Sequence, residues 1–225
     1  MLSYIGPRWQ DHLKHRRKLE QLMMNLRQAI ALLKRGDVIV FPTETVYGLG
    51  ADALNPAAVE RVFQLKGRNP DTPIPVIVAD QAMLKALVEP IPPLARKLME
   101  QFWPGPLTLV LPAVPTTPKQ LLNRTGGVGV RISSAPLATQ LARELEHPLT
   151  ATSANPSGEP AASTIEQAQN YFAGDIEIFL DGGQLPSKTG SSVVEVIDDC
   201  IKIIREGEIS LEQLAATIGR KNILT

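Results

Sequence analysis

A lysine and an arginine flank a single glycine in Lys66-Gly67-Arg68, at the C-terminal end of an expected helix. Two cations at that spacing cannot share a helix face, but a glycine between them lets both converge from a turn. A point charge beside a planar guanidinium fork suits a polyphosphate. The bland alternative is a pair of cations answering a helix dipole, worth roughly 0.3–1 kcal/mol when exposed. Four further clusters carry the same double reading. Pro42-Thr43-Glu44-Thr45-Val46-Tyr47-Gly48-Leu49-Gly50 sets two hydroxyls, a carboxylate and a phenol between a buried strand and two glycines; a turn satisfied by threonine hydroxyls reads alike. Arg131 stands inside Gly126-Gly127-Val128-Gly129-Val130-Arg131-Ile132, where a lone guanidinium is costly unless paired. Either it faces solvent, or a nearby Asp or Glu pairs it, or it clamps a ligand carboxylate. Thr150-Ala151-Thr152-Ser153-Ala154-Asn155-Pro156-Ser157-Gly158 gathers small hydroxyls and an amide after a short strand, where open α/β sheets place ligands. Ser163 or Thr164 beyond it also suits an N-cap, with Glu166 as capping-box partner. Lys188-Thr189-Gly190-Ser191-Ser192 precedes a late strand, and Arg205 follows the last one.

What is missing narrows the chemistry. His12 and His15 lie near the start, and His147 precedes Pro148. A Ser–His–Asp triad, a Cys–His pair and a His-rich zinc site therefore lack parts, and no Asp-rich metal cage is legible. Arginines, lysine, hydroxyls and backbone N–H groups suit charge neutralisation around phosphates, hence phosphoryl or nucleotidyl chemistry.

The elements that must position these groups follow from periodicity. Leu19, Leu22, Met23, Leu26, Ile30 and Leu33 recur at helical spacing, and Gly36 stops that helix. Helices are expected over Pro56–Lys66, Gln81–Val88, Pro93–Phe102, Leu137–Glu146, Thr164–Phe172 and Leu211–Ile218. Strands are expected over Val38–Phe41, Ile74–Ala79, Leu107–Leu111, Val128–Ile132, Leu149–Ala151, Glu177–Leu180, Val193–Ile197 and Ile201–Ile204, with a loop following Phe41. The mixture predicts an α/β layer fold around a largely buried sheet. Residues 1–18 read as a basic extension, 19–218 as one domain and 219–225 as a tail; Met23 and Met24 offer alternative starts.

Composition bounds the rest. The chain has 225 residues, 44% apolar and 20% charged, near the globular average. No run approaches the ~18 apolar residues of a membrane span, and no secretory leader pattern opens the chain. Cys200 alone excludes an internal disulfide and any CxxC site, and suits a reducing cytosol. The 23 basic and 23 acidic residues cancel, but unevenly. Residues 1–35 hold eight basic and two acidic side chains, a balance of +6, against −6 for the remainder.

Taken in order, PTETVYGLG, KGR, WPGPLTLVL, GVGVR, TSANPSG, GSSVVEV and IIREG resemble the YrdC-type threonylcarbamoyl-AMP synthases (TsaC-like), from about Leu26 to Ile209. PTETVYGLG and TSANPSG are specific; KGR or IREG alone would carry nothing. The resemblance implies an α/β fold with a twisted, mostly mixed sheet, flanking helices and a large concave, positively lined cavity. It implies an enzyme that uses ATP, L-threonine and bicarbonate, releases pyrophosphate, and supplies threonylcarbamoyl-AMP for N6-threonylcarbamoyladenosine in tRNA. By position, Lys66 and Arg68 become the catalytic pair on the ATP phosphates, joined at the nucleotide by Asn155, Ser163 and Arg205. Thr43, Arg131, Ser153 and Ser191 become the L-threonine contacts, with Arg131 on its carboxylate. ATP is then a substrate accompanied by Mg2+, with no organic cofactor and no protein-held metal. TsaD/TsaB/TsaE-like transfer proteins would act downstream, in the cytoplasm.

This chain departs from the family pattern in places. Where relatives often read VRxP it has Val130-Arg131-Ile132-Ser133, and their STVVD becomes Ser191-Ser192-Val193-Val194-Glu195. It is also too short for the extra C-terminal domain of the longer synthases. Two other classes stay open: a YciO-like paralogue, and a double-stranded RNA or tRNA cradle without catalysis. The cradle predicts steeply salt-dependent binding. An aromatic content of 4% gives few stacking platforms for single strands, though duplex recognition by shape needs none. Carbamoyl-adenylate transfer, as in hydrogenase-maturation proteins, lacks its accessory zinc-finger and acylphosphatase parts here.

Overall fold

The computed structural model describes residues 21, 23–69, 71–187 and 189–224. The expected extension over 1–18, Leu19 and Lys188 lie outside them. Along the chain come α1 (residues 23–35), β1 (Ile39–Pro42), β2 (Tyr47–Gly50), α2 (Pro56–Lys66), β3 (Val76–Ile77) and α3 (Gln81–Lys85). Next are α4 (Pro93–Phe102), β4 (Leu107–Pro112), β5 (Gly127–Arg131), α5 (Pro136–Leu145), β6 (Leu149–Thr150) and β7 (Thr152–Ser153). The last are α6 (Ile165–Phe172), β8 (Ser192–Ile197), β9 (Cys200–Arg205), α7 (Leu211–Ile218) and β10 (Ile223–Leu224).

Among the described residues the strands build two sheets. A three-stranded antiparallel sheet runs β1-β2-β7, and a seven-stranded sheet runs β10-β9-β8-β4-β5-β3-β6. In the larger sheet parallel pairs (β10 with β9, β8 with β4, β5 with β3) alternate with antiparallel ones. The expected mixed sheet is therefore present. Strand alternation makes the layers. Val38, Val40, Val76 and Val78 enter one apolar cluster, while Ile39, Phe41, Ile77 and Ala79 enter the other. Helices α1 and α5 close the second cluster; α2, α3, α4, α6 and α7 close the first.

Helix α1 buries Leu26, Ala29, Leu32 and Leu33. Met23, expected on that face, is 56% exposed. With about 3.6 residues per turn the stripe centres on Ala29 and Leu33, and Met23 falls about 100° away from it. The Pro-Thr-Glu-Thr loop expected after Phe41 is present, Thr43 to Val46 joining β1 to β2, but Tyr47–Gly50 at the end of the same motif is the hairpin strand β2. Its glycines admit the Phe41 ring, since a Cβ on Gly50 would come within 2.9 Å of it. Glu177–Leu180, expected as a strand, makes a single parallel bridge to β1. Val40 N donates to Ile178 O (3.0 Å) and Leu180 N donates to Val40 O (2.9 Å). Thr164 caps α6 with Gln167, not Glu166, as its box partner, because the third helical position is counted from Thr164. No helix among the described residues is long and apolar enough to cross a membrane.

Candidate functional site

Strand β7 lies against β2, pairing Ser153 with Gly48 and Thr152 with Leu49, so two of the polar motifs become neighbours. At Ala151 the chain passes from one sheet to the other. Ala151 N donates to Pro75 O (2.8 Å), and Ala154 N donates to Tyr47 O (2.8 Å). Between the small sheet and strands β4, β5, β8 and β9 opens a cavity of about 500 Å³. Six of the residues singled out in the sequence border it: Thr43, Arg68, Arg131, Ser153, Ser191 and Arg205. Lys66, Asn155 and Ser163 are not among the residues that line it.

The KGR turn explains the difference. Asn55 caps the start of α2 and Pro56 occupies its first turn, while Gly67, at φ +56°, ends it. Gly67 N donates to Gln64 O and Arg68 N to Phe63 O, a Schellman closure. Arg68 returns toward the cavity, with Nε donating to Thr72 O (2.9 Å) and Nη2 to Pro73 O (3.1 Å). Lys66 is buried instead. Its Nζ donates to Ser153 O (2.6 Å) and Asn155 O (2.7 Å), and its carbonyl accepts from Ser157 N (2.7 Å). The lysine thus clamps the TSANPSG turn from behind. Burial, and then the charge on Arg68, lower this amine to about 7.

Arg131, 3% exposed, ends β5 with its Nε 3.3 Å from Glu44 Oε1. One of the sequence alternatives therefore holds: the guanidinium has a carboxylate partner; it also borders the cavity. Ser133 Oγ donates to the other oxygen of Glu44. Arg205 is exposed at the rim, yet its head group turns inward. Nε and Nη2 donate to Ser191 O (3.1 and 2.6 Å), and the Ser191 hydroxyl lies 3.0 Å from Thr108 Oγ1. Burial holds all three guanidiniums below their ordinary value. The charge of Arg205 adds to this at Arg68, and that of Arg131 adds to it at Arg205. Only at Arg131 does Glu44 oppose it. Like charges that feel one another around a single void call for a multiply charged anion.

The remaining polar groups are largely spent on the scaffold. Asn155 Nδ2 donates to Pro156 O (2.8 Å) and Glu159 O (2.7 Å), leaving its Oδ1 buried without a partner. Ser163 Oγ donates to Gln167 Oε1 (3.2 Å) and accepts from Gln184 Nε2 (3.2 Å). Tyr47 donates to Gly183 O (2.8 Å) and accepts from Gly182 N (3.0 Å), and burial pushes its phenol up. Sequence reasoning missed two contributors. Thr108 is fully buried, and its only sign in the sequence is one hydroxyl inside an apolar run. Asn123 accepts from Gly127 N (2.7 Å) and donates to Glu195 Oε1 (2.8 Å), pinning the start of β5. No group of three metal-ligating side chains occurs among the described residues.

The rim depends on one close backbone crossing. A Cβ on Gly207 would meet Gly190 O at 2.5 Å and Ser191 C at 2.6 Å. Gly207→Ala must displace Ser191 and Arg205 together. Overpacking of this kind costs about 1–3 kcal/mol, so calorimetry should show a melting temperature lowered by roughly 2–12 °C.

The family profile described as "Telomere recombination" (Sua5/YciO/YrdC) matches residues 31–207. A Bacillus subtilis protein named threonylcarbamoyl-AMP synthase is 42% identical over 195 residues, covering 85% of this chain and 56% of that one. Pyrococcus abyssi Sua5, solved in complex with L-threonine, aligns with a TM-score of 0.84 at 37% identity, covering 88% of this chain and 58% of that one. E. coli YciO aligns with a TM-score of 0.76 at 26% identity, covering 84% of this chain and 92% of that one. The chain thus spans rather more than half the length of the first two and nearly all of the third. With its ordered motifs, its mixed sheet and these matches, the chain belongs to the Sua5/YciO/YrdC family.

Proposed function

We propose that this chain makes L-threonylcarbamoyl-AMP from ATP, L-threonine and bicarbonate, with release of pyrophosphate. The observation that carries this reading is the set of three guanidiniums, Arg68, Arg131 and Arg205, bordering one cavity with hydroxyls between them. Arg131 takes the threonine carboxylate, while Thr43, Ser153 and Ser191 meet the other polar groups of the amino acid. Arg68 and Arg205 take the phosphates, with Asn155 and Ser163 on the nucleotide side and Lys66 on the turn that joins the two halves. The threonine amine adds to bicarbonate-derived CO2, and the new carboxylate attacks the α-phosphorus. Pyrophosphate leaves and a mixed anhydride remains. Juxtaposition and charge neutralisation supply the rate, without an enzyme nucleophile. Among the described residues the cavity walls carry no carboxylate; Mg2+ would enter with ATP as part of the substrate. The product would pass to TsaD/TsaB/TsaE-like transfer proteins and so to tRNA in the cytoplasm, from a single domain over 19–218.

Folded protein given Mg2+, ATP, L-threonine and bicarbonate is expected to release pyrophosphate and form threonylcarbamoyl-AMP, each substrate being required. No product, even with transfer proteins present, would sink this reading. A second reading, a YciO-like paralogue without synthase activity, takes its support from the match to nearly the whole of E. coli YciO.

A proton count tests the nucleotide side. At pH 8 an amine lowered to about 7 is mostly neutral, and a polyphosphate held by Arg68 in the adjoining cavity would favour the ammonium through its field. ATP binding should therefore take up a fraction of a proton, read by calorimetry in two buffers of different ionisation enthalpy. Lys66→Met should abolish that uptake.

A further inference from the structure

We infer that Ser133 and Glu44 form a buried relay that aims the Arg131 guanidinium at its ligand, the threonine carboxylate. Naming threonine rests on the functional reading above; the relay itself rests on geometry. Arg131 Nε faces Glu44 Oε1 at 3.3 Å, the second Glu44 oxygen accepts from Ser133 Oγ, and that hydroxyl accepts from Ala135 N at 3.1 Å. The Arg131 and Glu44 side chains are 4% and 11% exposed, and Ser133 is 1% exposed. Water is thus largely excluded from all three.

Glu44 lies in the loop between β1 and β2, and Ser133 lies two residues beyond the end of β5. The relay therefore ties the small sheet to the large one beside the cavity. Arg131 borders that cavity and Glu44 does not, which makes Glu44 a positioning residue. A carboxylate on the Nε side leaves the terminal nitrogens for a planar, two-oxygen partner. The ion pair alone does not set the plane of the fork, because neither Arg131 Nε nor Glu44 Oε1 reaches hydrogen-bond geometry. Ser133 supplies the missing constraint by holding the other carboxylate oxygen, and Ala135, at the start of α5, holds Ser133.

The experiment uses the full chain with Ser133→Ala, Glu44→Gln and the conservative Ser133→Thr. The first two should raise the threonine KM about ten- to hundredfold, as for loss of a hydrogen bond to a charged group. The ATP KM should stay within about twofold, since Arg68 and Arg205 are untouched, and Ser133→Thr should recover most of the loss. In substrate-free protein the Arg131 Nε–H resonance, assigned by its disappearance in Arg131→Lys, should shift in Ser133→Ala and Glu44→Gln. An unmoved resonance overturns the relay, whatever the protein catalyses. A shifted resonance with threonine and ATP constants moving in parallel overturns the aiming role. A shifted resonance in a protein that binds no threonine overturns the functional reading and leaves the relay standing.

Discussion

Arg131→Ala is expected to remove most L-threonine use while leaving ATP binding within a few-fold of wild type. Truncating one member of a buried charge pair costs about 2–5 kcal/mol in binding, which is a roughly 30- to 5,000-fold rise in the threonine KM. The same substitution strands the Glu44 carboxylate in a site 11% exposed. That should destabilise the fold by about 3–5 kcal/mol and lower the melting temperature by roughly 6–20 °C. Stability and function can be separated. Arg131→Met combined with Glu44→Gln removes both charges, so it should regain much of the lost stability and none of the threonine use. Steady-state kinetics and melting curves on the two variants decide the point. If the ATP KM climbs in step with the threonine KM, Arg131 is not the amino-acid contact.

Lys66→Met should damage both substrates at once. Methionine keeps the length of the side chain but cannot donate to Ser153 O or Asn155 O, the two carbonyls that Lys66 holds. Each buried carbonyl left without a partner costs about 1–3 kcal/mol. The freed turn carries Ser153 away from its place on the cavity wall, and a displacement of about 1 Å can cost 100-fold in rate. A pure phosphate ligand would instead disturb ATP alone. Stability carries an independent signature. The folded amine sits near 7 against 10.5 for the ordinary value, so between those pH values the unfolded chain binds more protons. Wild-type stability therefore rises with pH across that window, and the burial penalty is fully in force below it. Methionine binds no proton, so the deficit of the variant should be smallest near pH 6 and widest near pH 10. A deficit that ignores pH would contradict a buried amine at this position.

The helices were legible wherever their ends carry chemistry. The expected bounds Pro56–Lys66, Pro93–Phe102 and Leu211–Ile218 are those the structure shows, with Asn55 and Gly67 closing the first, Pro93 opening the second and a Ser210–Gln213 box opening the third. Short strands were not legible, because two residues carry no period: β7 and β10 exist through pairing with β2 and β9. Strand β2 was hidden by its glycines, whose meaning depends on the distant ring of Phe41. At the site, residue types pointed to anion chemistry, and Arg68, Arg131 and Arg205 do gather around one cavity. Which way a lysine points cannot be read from KGR, and Lys66 points into the scaffold. Nor could the sequence choose Glu44 among the carboxylates available to Arg131, since a contact of 87 residues' separation is made by the fold. Thr108 escaped notice because a hydroxyl facing inward from a buried strand looks like any other strand threonine.

The parallel pairing of β4 with β8 sets Leu107 beside Ser192, and the two strands share the wall that Arg205 completes from β9. Loop-closure entropy over so long a segment must be met before that pairing gains anything, which makes it a slow event in folding. During synthesis the N-terminal hairpin with Thr43 emerges long before the strand that faces it across the cavity. A nascent or truncated chain ending before Ser191 therefore lacks the wall that Ser191 and Arg205 supply. The cavity is walled on that side only when the β8–β9 hairpin, Ser192 to Arg205, docks.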